Sequence, residues 1–269
     1  IHFHSTISLF KHRRDLEDFK GKVILTTHSP VPQFQEIYQE LPTKFEKKVY
    51  KKFYEKLEQI DDFSFNRADY IIFPCKEAEE SYLINWSKFK AIHDKFKNQN
   101  RLKDIPTGIE PKEANGSQFF YRKKYGYADN DFVVSYVGRH NIVKGYNELQ
   151  NIAKRIWNCS EAVKFIIGGK EEPLKGLNDE RWKEIGWTKT PQELIKLSNC
   201  FVLPNKETYF DIVFLEVLSL GKIIVAKNTG GNKYFNNFSN CGIFLYDSIE
   251  EASNIIETIK KMPIETIKV

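Results

Sequence analysis

The chain has 269 residues, of which 41% are hydrophobic and 29% charged, with a formal net charge of +5 and four cysteines. That length holds one large domain or two ordinary ones, and the balance is that of a globular protein able to bury its own cores. The mild positive charge falls short of the asymmetry of a nucleic-acid binder, no run of eighteen apolar residues offers a membrane span, and no secretory signal is visible.

The chain opens on Ile1-His2-Phe3-His4, which reads as the middle of a strand and carries no initiating methionine. Lys22–Thr27 (KVILTT) follows as a buried strand, then a helical pattern over Thr43–Ile60 and a further strand at Tyr70–Pro74 (YIIFP). The stretch from Gly108 to Gln118 is rich in Pro, Gly, Asn and Ser and has no periodicity, so it marks a boundary. Beyond it come strands at Phe132–Val137, Val163–Gly168, Cys200–Leu203, Ile223–Ala226 and Gly242–Tyr246. Helical patterns at Tyr146–Trp157, Pro191–Leu197, Phe210–Leu220 and Ile249–Lys261 alternate with them. Strands alternating with helices predict an α/β fold of two Rossmann-like domains with parallel sheets, over residues 1–112 and 113–269, the first of them incomplete. Cys75, Cys159, Cys200 and Cys241 are widely spaced, form no CxxC pair and mostly flank apolar runs, so buried reduced thiols are expected.

In open α/β sheets ligands sit beyond the carboxyl ends of the strands, so the loops after each strand carry the chemistry. After Phe132–Val137 comes Gly138-Arg139-His140-Asn141-Ile142-Val143-Lys144-Gly145. The glycine permits close backbone approach, the helix that follows offers unpaired N–H groups, and Arg139 and Lys144 supply a forked donor and a point charge. This set suits a diphosphate; it is equally the make-up of a solvated basic turn. After Cys200–Leu203 a helix carries Glu216 among Ile212, Val213, Phe214, Leu215, Val217 and Leu218. A carboxylate there needs partners, which the vicinal hydroxyls of a ribose, a lysine or a backbone donor would supply. After Ile223–Ala226, the pair Gly230-Gly231 lies at a strand-to-helix turn and suits a phosphate or sugar against backbone amides, or simply a tight turn.

The order Gly138-Arg139, Lys144-Gly145, Pro204–Glu216, Gly221, then Asn228-Thr229-Gly230-Gly231-Asn232, resembles the donor domain of a GT-B glycosyltransferase of family 4, the glycosyl transferases group 1. His2-Phe3-His4-Ser5, Leu25–Pro30, Ala68–Ile72 and Ile105–Glu110 resemble the family's acceptor domain and interdomain link, so the resemblance covers almost the whole chain. It implies that Gly138, Arg139 and Lys144 hold the donor diphosphate and stabilise the leaving nucleotide, that Glu216 binds the ribose, and that Thr229, Gly230 and Gly231 line the phosphate side. Gly186-Trp187-Thr188 resembles the loop near the base, and His4 or His28 would face the reacting sugar across the cleft. The family's first acid should stand eight residues before Glu216, where this chain has Thr208 beside Glu207; either of them, or Asp211, is the candidate for that contact with the transferred sugar. The resemblance also implies roughly a hundred further residues, most of one domain, ahead of Ile1.

The reaction so implied is retaining and metal-independent, from a nucleotide-sugar donor, most simply UDP-linked, to a glycan or lipid-linked glycan in surface polysaccharide biosynthesis. No other cofactor is expected, and the location implied is cytoplasmic, peripheral to the inner face of the membrane. Over 43–60 six lysines oppose three glutamates, and Phe45, Val49, Phe53, Leu57 and Ile60 recur at helical spacing. That stripe either packs into the domain core or lies on an anionic membrane. The last helix is a candidate for packing back toward the N-terminal domain. Two other classes stand against the transferase: a donor-binding fragment that is inactive alone, and a nicotinamide oxidoreductase, for which the chain lacks a GxGxxG fingerprint.

Overall fold

A computed structural model describes residues 1–41, 44–159, 162–238 and 241–262. Thr43, read from sequence as the start of a helix, lies outside the described residues, as do the side chains of Lys44, Phe45, Lys47 and Lys52. The chain divides into two compact units, one of residues 1–107 with 207–210 and one of residues 108–206 with 211–269.

The first unit runs β1 (His2–Phe3), α1 (Thr6–Lys11), β2 (Ile24–Leu25), α2 (Gln33–Glu40), α3 (Lys44–Arg67), β3 (Tyr70–Phe73), α4 (Glu80–Asn85), α5 (Phe89–Asn98) and β4 (Leu102–Asp104), with a short 3-10 turn at Lys76–Glu79. Its four strands are parallel in the order β1-β2-β3-β4. Leu25, Ile71 and Phe73 are buried on the sheet, and Phe65, Tyr82, Trp86 and Phe89 form an aromatic layer beside it. Ser5 caps α1 by accepting the amide of Ser8 at 3.1 Å, and the buried Asp61 caps α2 by accepting the amide of Phe34 at 3.1 Å.

α3 continues seven residues past Ile60, through residues whose buried members, Asp61, Ser64 and Phe65, are mostly polar. The apolar stripe of α3 is not taken into the core at its N-terminal half: Val49 is 43% and Phe53 53% exposed, beside the exposed Lys48, Lys51 and Lys56. β4 has no apolar run, because as the edge strand it is paired on one side and none of its residues is buried.

The second unit runs α6 (Gln118–Tyr125), β5 (Phe132–Val137), α7 (Tyr146–Cys159), β6 (Val163–Gly168), β7 (Trp182–Gly186), α8 (Pro191–Leu197), β8 (Cys200–Leu203), α9 (Ile212–Ser219), β9 (Ile223–Lys227), a 3-10 stretch at Gly230–Asn237, β10 (Ile243–Tyr246) and α10 (Ile249–Lys261). The six strands are parallel in the order β10-β9-β8-β5-β6-β7, the doubly wound arrangement. Central strands β5, β6 and β8 are buried almost end to end, which is why they read as continuous apolar runs. β7, at the sheet edge, buries Trp182 alone and carries Lys183 and Glu184, so it shows no such run. α10 packs on α7, where Arg155 pairs with Glu250 at 2.7 Å.

The four cysteines are free thiols. Cys75 and Cys200 are buried as expected, and burial pushes both thiols up to about 12. Cys159 and Cys241 are exposed instead: they stand at the end of α7 and just ahead of β10, outside the buried part of either element.

Candidate functional site

A crevice opens in a doubly wound sheet where neighbouring strands send their chains to opposite sides. In the second unit that point lies between β5 and β8: the chain leaves β5 toward β6 on one side and leaves β8 toward β9 on the other. The loops after these two strands are joined. Lys206 N donates to Val143 O at 3.0 Å. Gly145 has φ +66°, and a Cβ built on it would lie 1.8 Å from the carbonyl oxygen of Pro204, so only glycine lets the loops meet.

The β5–α7 loop is wound by its own side chains. Tyr136 Oη donates to Arg139 O at 3.0 Å, Asn141 Oδ1 accepts the amide of Lys144 at 2.8 Å, and Asn141 O accepts the amide of Tyr146 at 3.1 Å. Gly138 N donates to Gly168 O at 2.9 Å, which ties the loop to the end of β6. The result presents Arg139 at the surface and holds Lys144 half-buried. Lys144 Nζ lies 3.0 Å from Asp211 Oδ1, and the other oxygen of Asp211 accepts from Asn205 Nδ2 at 2.5 Å. Asp211, at the N-cap of α9, is therefore the partner of Lys144.

Glu216 sits midway along α9 with its side chain 19% exposed, and its Oε1 lies 3.5 Å from Lys112 Nζ, the lysine partner that sequence reasoning allowed. Lys112, Lys189, Gln192, Ile195, Glu216 and Leu220 line a cavity of about 110 Å³. Trp187 follows β7 and is 70% exposed. Thr229 N-caps the 3-10 stretch that Gly230 and Gly231 open; both glycines are buried, and Thr229 Oγ1 donates to Lys206 O at 3.0 Å, joining the loops after β8 and β9. Arg139 and Lys144 thus share the β5 loop, Asp211 and Glu216 share α9, and Thr229 meets the β8 loop.

Glu207 and Thr208 group with the first unit. Thr208 is buried, and the following Tyr209 donates its hydroxyl to Ile72 O at 3.2 Å and stands edge-on to His28, with ring centroids 6.3 Å apart. His4 and His28 come together in that unit: His4 Nδ1 lies 2.7 Å from His28 Nε2, and the rings are stacked with centroids 5.0 Å apart. His2 adds a third ring 4.2 Å from His4. Burial, then the neighbouring His4, lowers the pKa of both His2 and His28, so these two rings resist taking up charge. His28 holds φ +54°, a conformation rare for a side-chain-bearing residue and common at functional sites. Among the described residues, no group of three or more His, Cys, Asp or Glu side chains could hold a metal ion.

Two residues of this region were missed from sequence. His140, one place after Arg139, is fully buried, and Glu184 on β7 faces it. The signal for His140 was present, a polar residue in a strand-to-helix loop, but residue type does not reveal burial.

Residues 131–261 match the family model described as glycosyl transferases group 1. No curated protein sequence matches the chain. Among solved structures, HepE from Anabaena in complex with UDP and glucose has a TM-score of 0.71 at 16% identity, over 99% of this chain and 69% of that one. Sucrose-phosphate synthase from Thermosynechococcus elongatus has a TM-score of 0.69 at 18% identity, over 96% of this chain and 63% of that one. WaaG, a glycosyltransferase involved in lipopolysaccharide biosynthesis, has a TM-score of 0.60 at 14% identity, over 95% of this chain and 73% of that one. Residues 131–261, which span the second unit from β5 to α10, are thus similar to the glycosyl transferases group 1 domain, and the two parallel α/β units have the fold of GT-B glycosyltransferases.

Proposed function

We propose that the second unit binds a nucleotide sugar and that the protein transfers the sugar, as a retaining, metal-independent glycosyltransferase of family 4. The observation that carries this reading is the joined pair of loops at the β5/β8 switch point, with Arg139 exposed and Lys144 held at the head of α7. A diphosphate there meets two cations at the positive end of the α7 dipole. The same groups stabilise the charge that develops on the leaving phosphate. HepE has been solved with UDP and with UDP-glucose, which supports a UDP-linked donor.

In this reading Glu216 binds the ribose hydroxyls. It exchanges its Lys112 pairing for them at small cost, because a pair 3.5 Å apart with the lysine 52% exposed is worth about 0.2–1 kcal/mol. Trp187 stacks on the base. Gly138, Thr229, Gly230 and Gly231 line the phosphate side. Glu207 and Thr208 contact the transferred sugar, and His4 and His28 orient the sugar or the acceptor.

The acceptor is a glycan or a lipid-linked glycan of surface polysaccharide biosynthesis, and the protein works in the cytoplasm, peripheral to the inner face of the membrane. The exposed Val49 and Phe53 among Lys48, Lys51 and Lys56 support the membrane contact, since an apolar stripe flanked by lysines matches an anionic lipid surface.

Thermal-shift titration with UDP, GDP, ADP and their sugars tests the donor site. Glu216→Ala should weaken nucleotide binding by roughly ten- to a hundredfold, the loss of about 1.5–3 kcal/mol of charge-assisted hydrogen bonding, with little change in melting temperature. If no nucleotide stabilises the protein, or if Glu216→Ala binds as tightly as the wild type, the donor assignment fails. Nucleotide binding without nucleotide release from any donor would assign the chain as a donor-binding fragment instead.

A further inference from the structure

His140 has no part in the roles above, yet its surroundings are unusual for a structural histidine. The imidazole lies flat on Tyr146, with ring centroids 4.0 Å apart and planes at 8°. It is fully buried, and neither ring nitrogen has a hydrogen-bond partner. Each such unsatisfied group costs roughly 1–3 kcal/mol, so an apolar ring would serve a purely structural role better.

Opposite stands Glu184 of β7. Its Oε1 accepts from Trp182 Nε1 at 2.7 Å and from the hydroxyl of Tyr146. Its Oε2 is buried and unpartnered, 3.8 Å from His140 Nε2. The roof is Gly169: a Cβ there would lie 3.1 Å from His140 Nε2 and 1.9 Å from Gly138 O. The imidazole is therefore enclosed by the loops after β5 and β6 and by β7, one residue from Arg139. A neutral imidazole can turn one N–H toward that carboxylate, and a second proton on the ring makes the contact a charge-assisted pair, the stronger of the two.

We infer that His140 is a positioning residue for the donor diphosphate: when the diphosphate binds, His140 takes up one proton from solvent, closes onto Glu184, and fixes the Gly138–Lys144 loop. The inference rests on the donor site proposed above. Burial raises the pKa of Glu184 and the hydrogen bonds from Tyr146 and Trp182 oppose that rise, so the proton taken up is held between the imidazole nitrogen and Oε2, and no other bond changes. The titratable and charged groups facing the ring are Tyr136 and Arg139 of its own strand and loop, Tyr146 of α7, Glu184 of β7 and Glu171 of the loop after β6. Without ligand, burial holds the imidazole neutral, at about 4, against the opposing pull of Glu171. The negative charge of a diphosphate beside Arg139 favours the imidazolium, by about two pKa units for an anion within about 4–6 Å.

The test is calorimetry of UDP binding in two buffers of different ionisation enthalpy, at pH 6, for the wild type and for His140→Gln. The terminal phosphate of UDP also titrates in this region and contributes equally to both proteins. A ring shifted by about two units from about 4 is half protonated at pH 6, so the wild type should take up about half a proton more than His140→Gln. Its affinity should also gain about tenfold more than that of the variant between pH 7 and pH 5. Glu184→Gln, which keeps the shape and the acceptor for Tyr146 and Trp182, should remove the extra proton while melting near the wild type; it carries the test if His140→Gln fails to fold. If the variants only lower the melting temperature and leave proton uptake and pH profile as in the wild type, His140 is structural and the inference falls. If UDP binds neither protein, the donor reading falls first.

Discussion

Gly145→Ala separates backbone strain from loop contact at the proposed site, and Gly221→Ala is its internal control. Both glycines lie in the left-handed region, at φ +66° and +64°. At Gly221 a Cβ meets nothing within 4 Å, so alanine there adds the left-handed cost alone, about 1–2 kcal/mol, less about 0.4–1 kcal/mol for the stiffer unfolded chain. At Gly145 the same cost applies, and the Cβ would also sit 1.8 Å from Pro204 O, where ordinary contact begins at 3.4 Å. The β5 and β8 loops must then part by about 1.5 Å, which adds about 1–3 kcal/mol or more of overpacking. At about 2–4 °C per kcal/mol, Gly221→Ala should lower the melting temperature by about 2–4 °C and Gly145→Ala by about 5–15 °C. The sharper readout is nucleotide affinity. Parting the loops moves Lys144 against Asp211 and should cost tenfold or more in UDP binding, whereas Gly221→Ala should bind as the wild type does. Isothermal titration of both variants at a temperature where each is folded decides it. Wild-type affinity in Gly145→Ala would refute the claim that the loop junction is the donor site.

Asp211→Asn removes the anion that would compete with a diphosphate for Lys144, and UDP should bind up to about fivefold tighter by titration, the scale of one partly exposed ion pair; weaker binding would show that Asp211 serves the bound state instead. Lys48→Ala with Lys51→Ala should lower partitioning onto phosphatidylserine vesicles about thirtyfold, at about 1 kcal/mol per lysine near an anionic surface, and wild-type partitioning would remove α3 from the membrane contact. Burial raises Asp61 to about 6, so between its unfolded value near 4 and pH 6 the folded state binds the extra proton. Stability from this group is full below about pH 4 and is lost as pH rises to 6, by about 3 kcal/mol in all. Asp61→Asn should erase that slope in denaturant titrations at pH 4, 5 and 6.

What sequence made legible follows where the physics is local. Val134, Phe165 and Val202 lie on strands flanked by other strands and are wholly buried, so β5, β6 and β8 announce themselves as apolar runs bounded by glycine or proline. The Arg139 and Lys144 loop was legible for the same reason, since it begins where the run of β5 stops. Edge strands break this rule. β4 and β7 need an apolar face on one side at most, and Leu102-Lys103-Asp104 and Trp182–Gly186 carry charge in the strand itself. Helix length was hidden in another way: beyond Ile60, α3 is held by Asp61 and Ser64, polar residues that are buried because Thr6 donates to Asp61 at 2.5 Å and Ser64 donates to Thr6 O at 2.8 Å. No periodicity of apolar residues records such contacts.

The electrostatics of the site belong to this second kind. Lys144, Asp211, Glu216 and Lys112 are each visible in the sequence, but their pairing is a property of the sheet order, which sets the β5 loop beside the β8 loop and lays residue 112 along α9 through the bond from Lys112 N to Ser219 Oγ at 3.2 Å. Both groups proposed to meet the nucleotide, Lys144 and Glu216, are therefore occupied by oppositely charged partners. In the donor complex proposed above, a diphosphate would repel Asp211 and attract Lys112, so binding would exchange a partner at each end. Affinity then reports the difference between two sets of ion pairs, and its size should fall with ionic strength less steeply than two unpaired cations would require. That gives the pairing a consequence that residue identities alone do not contain.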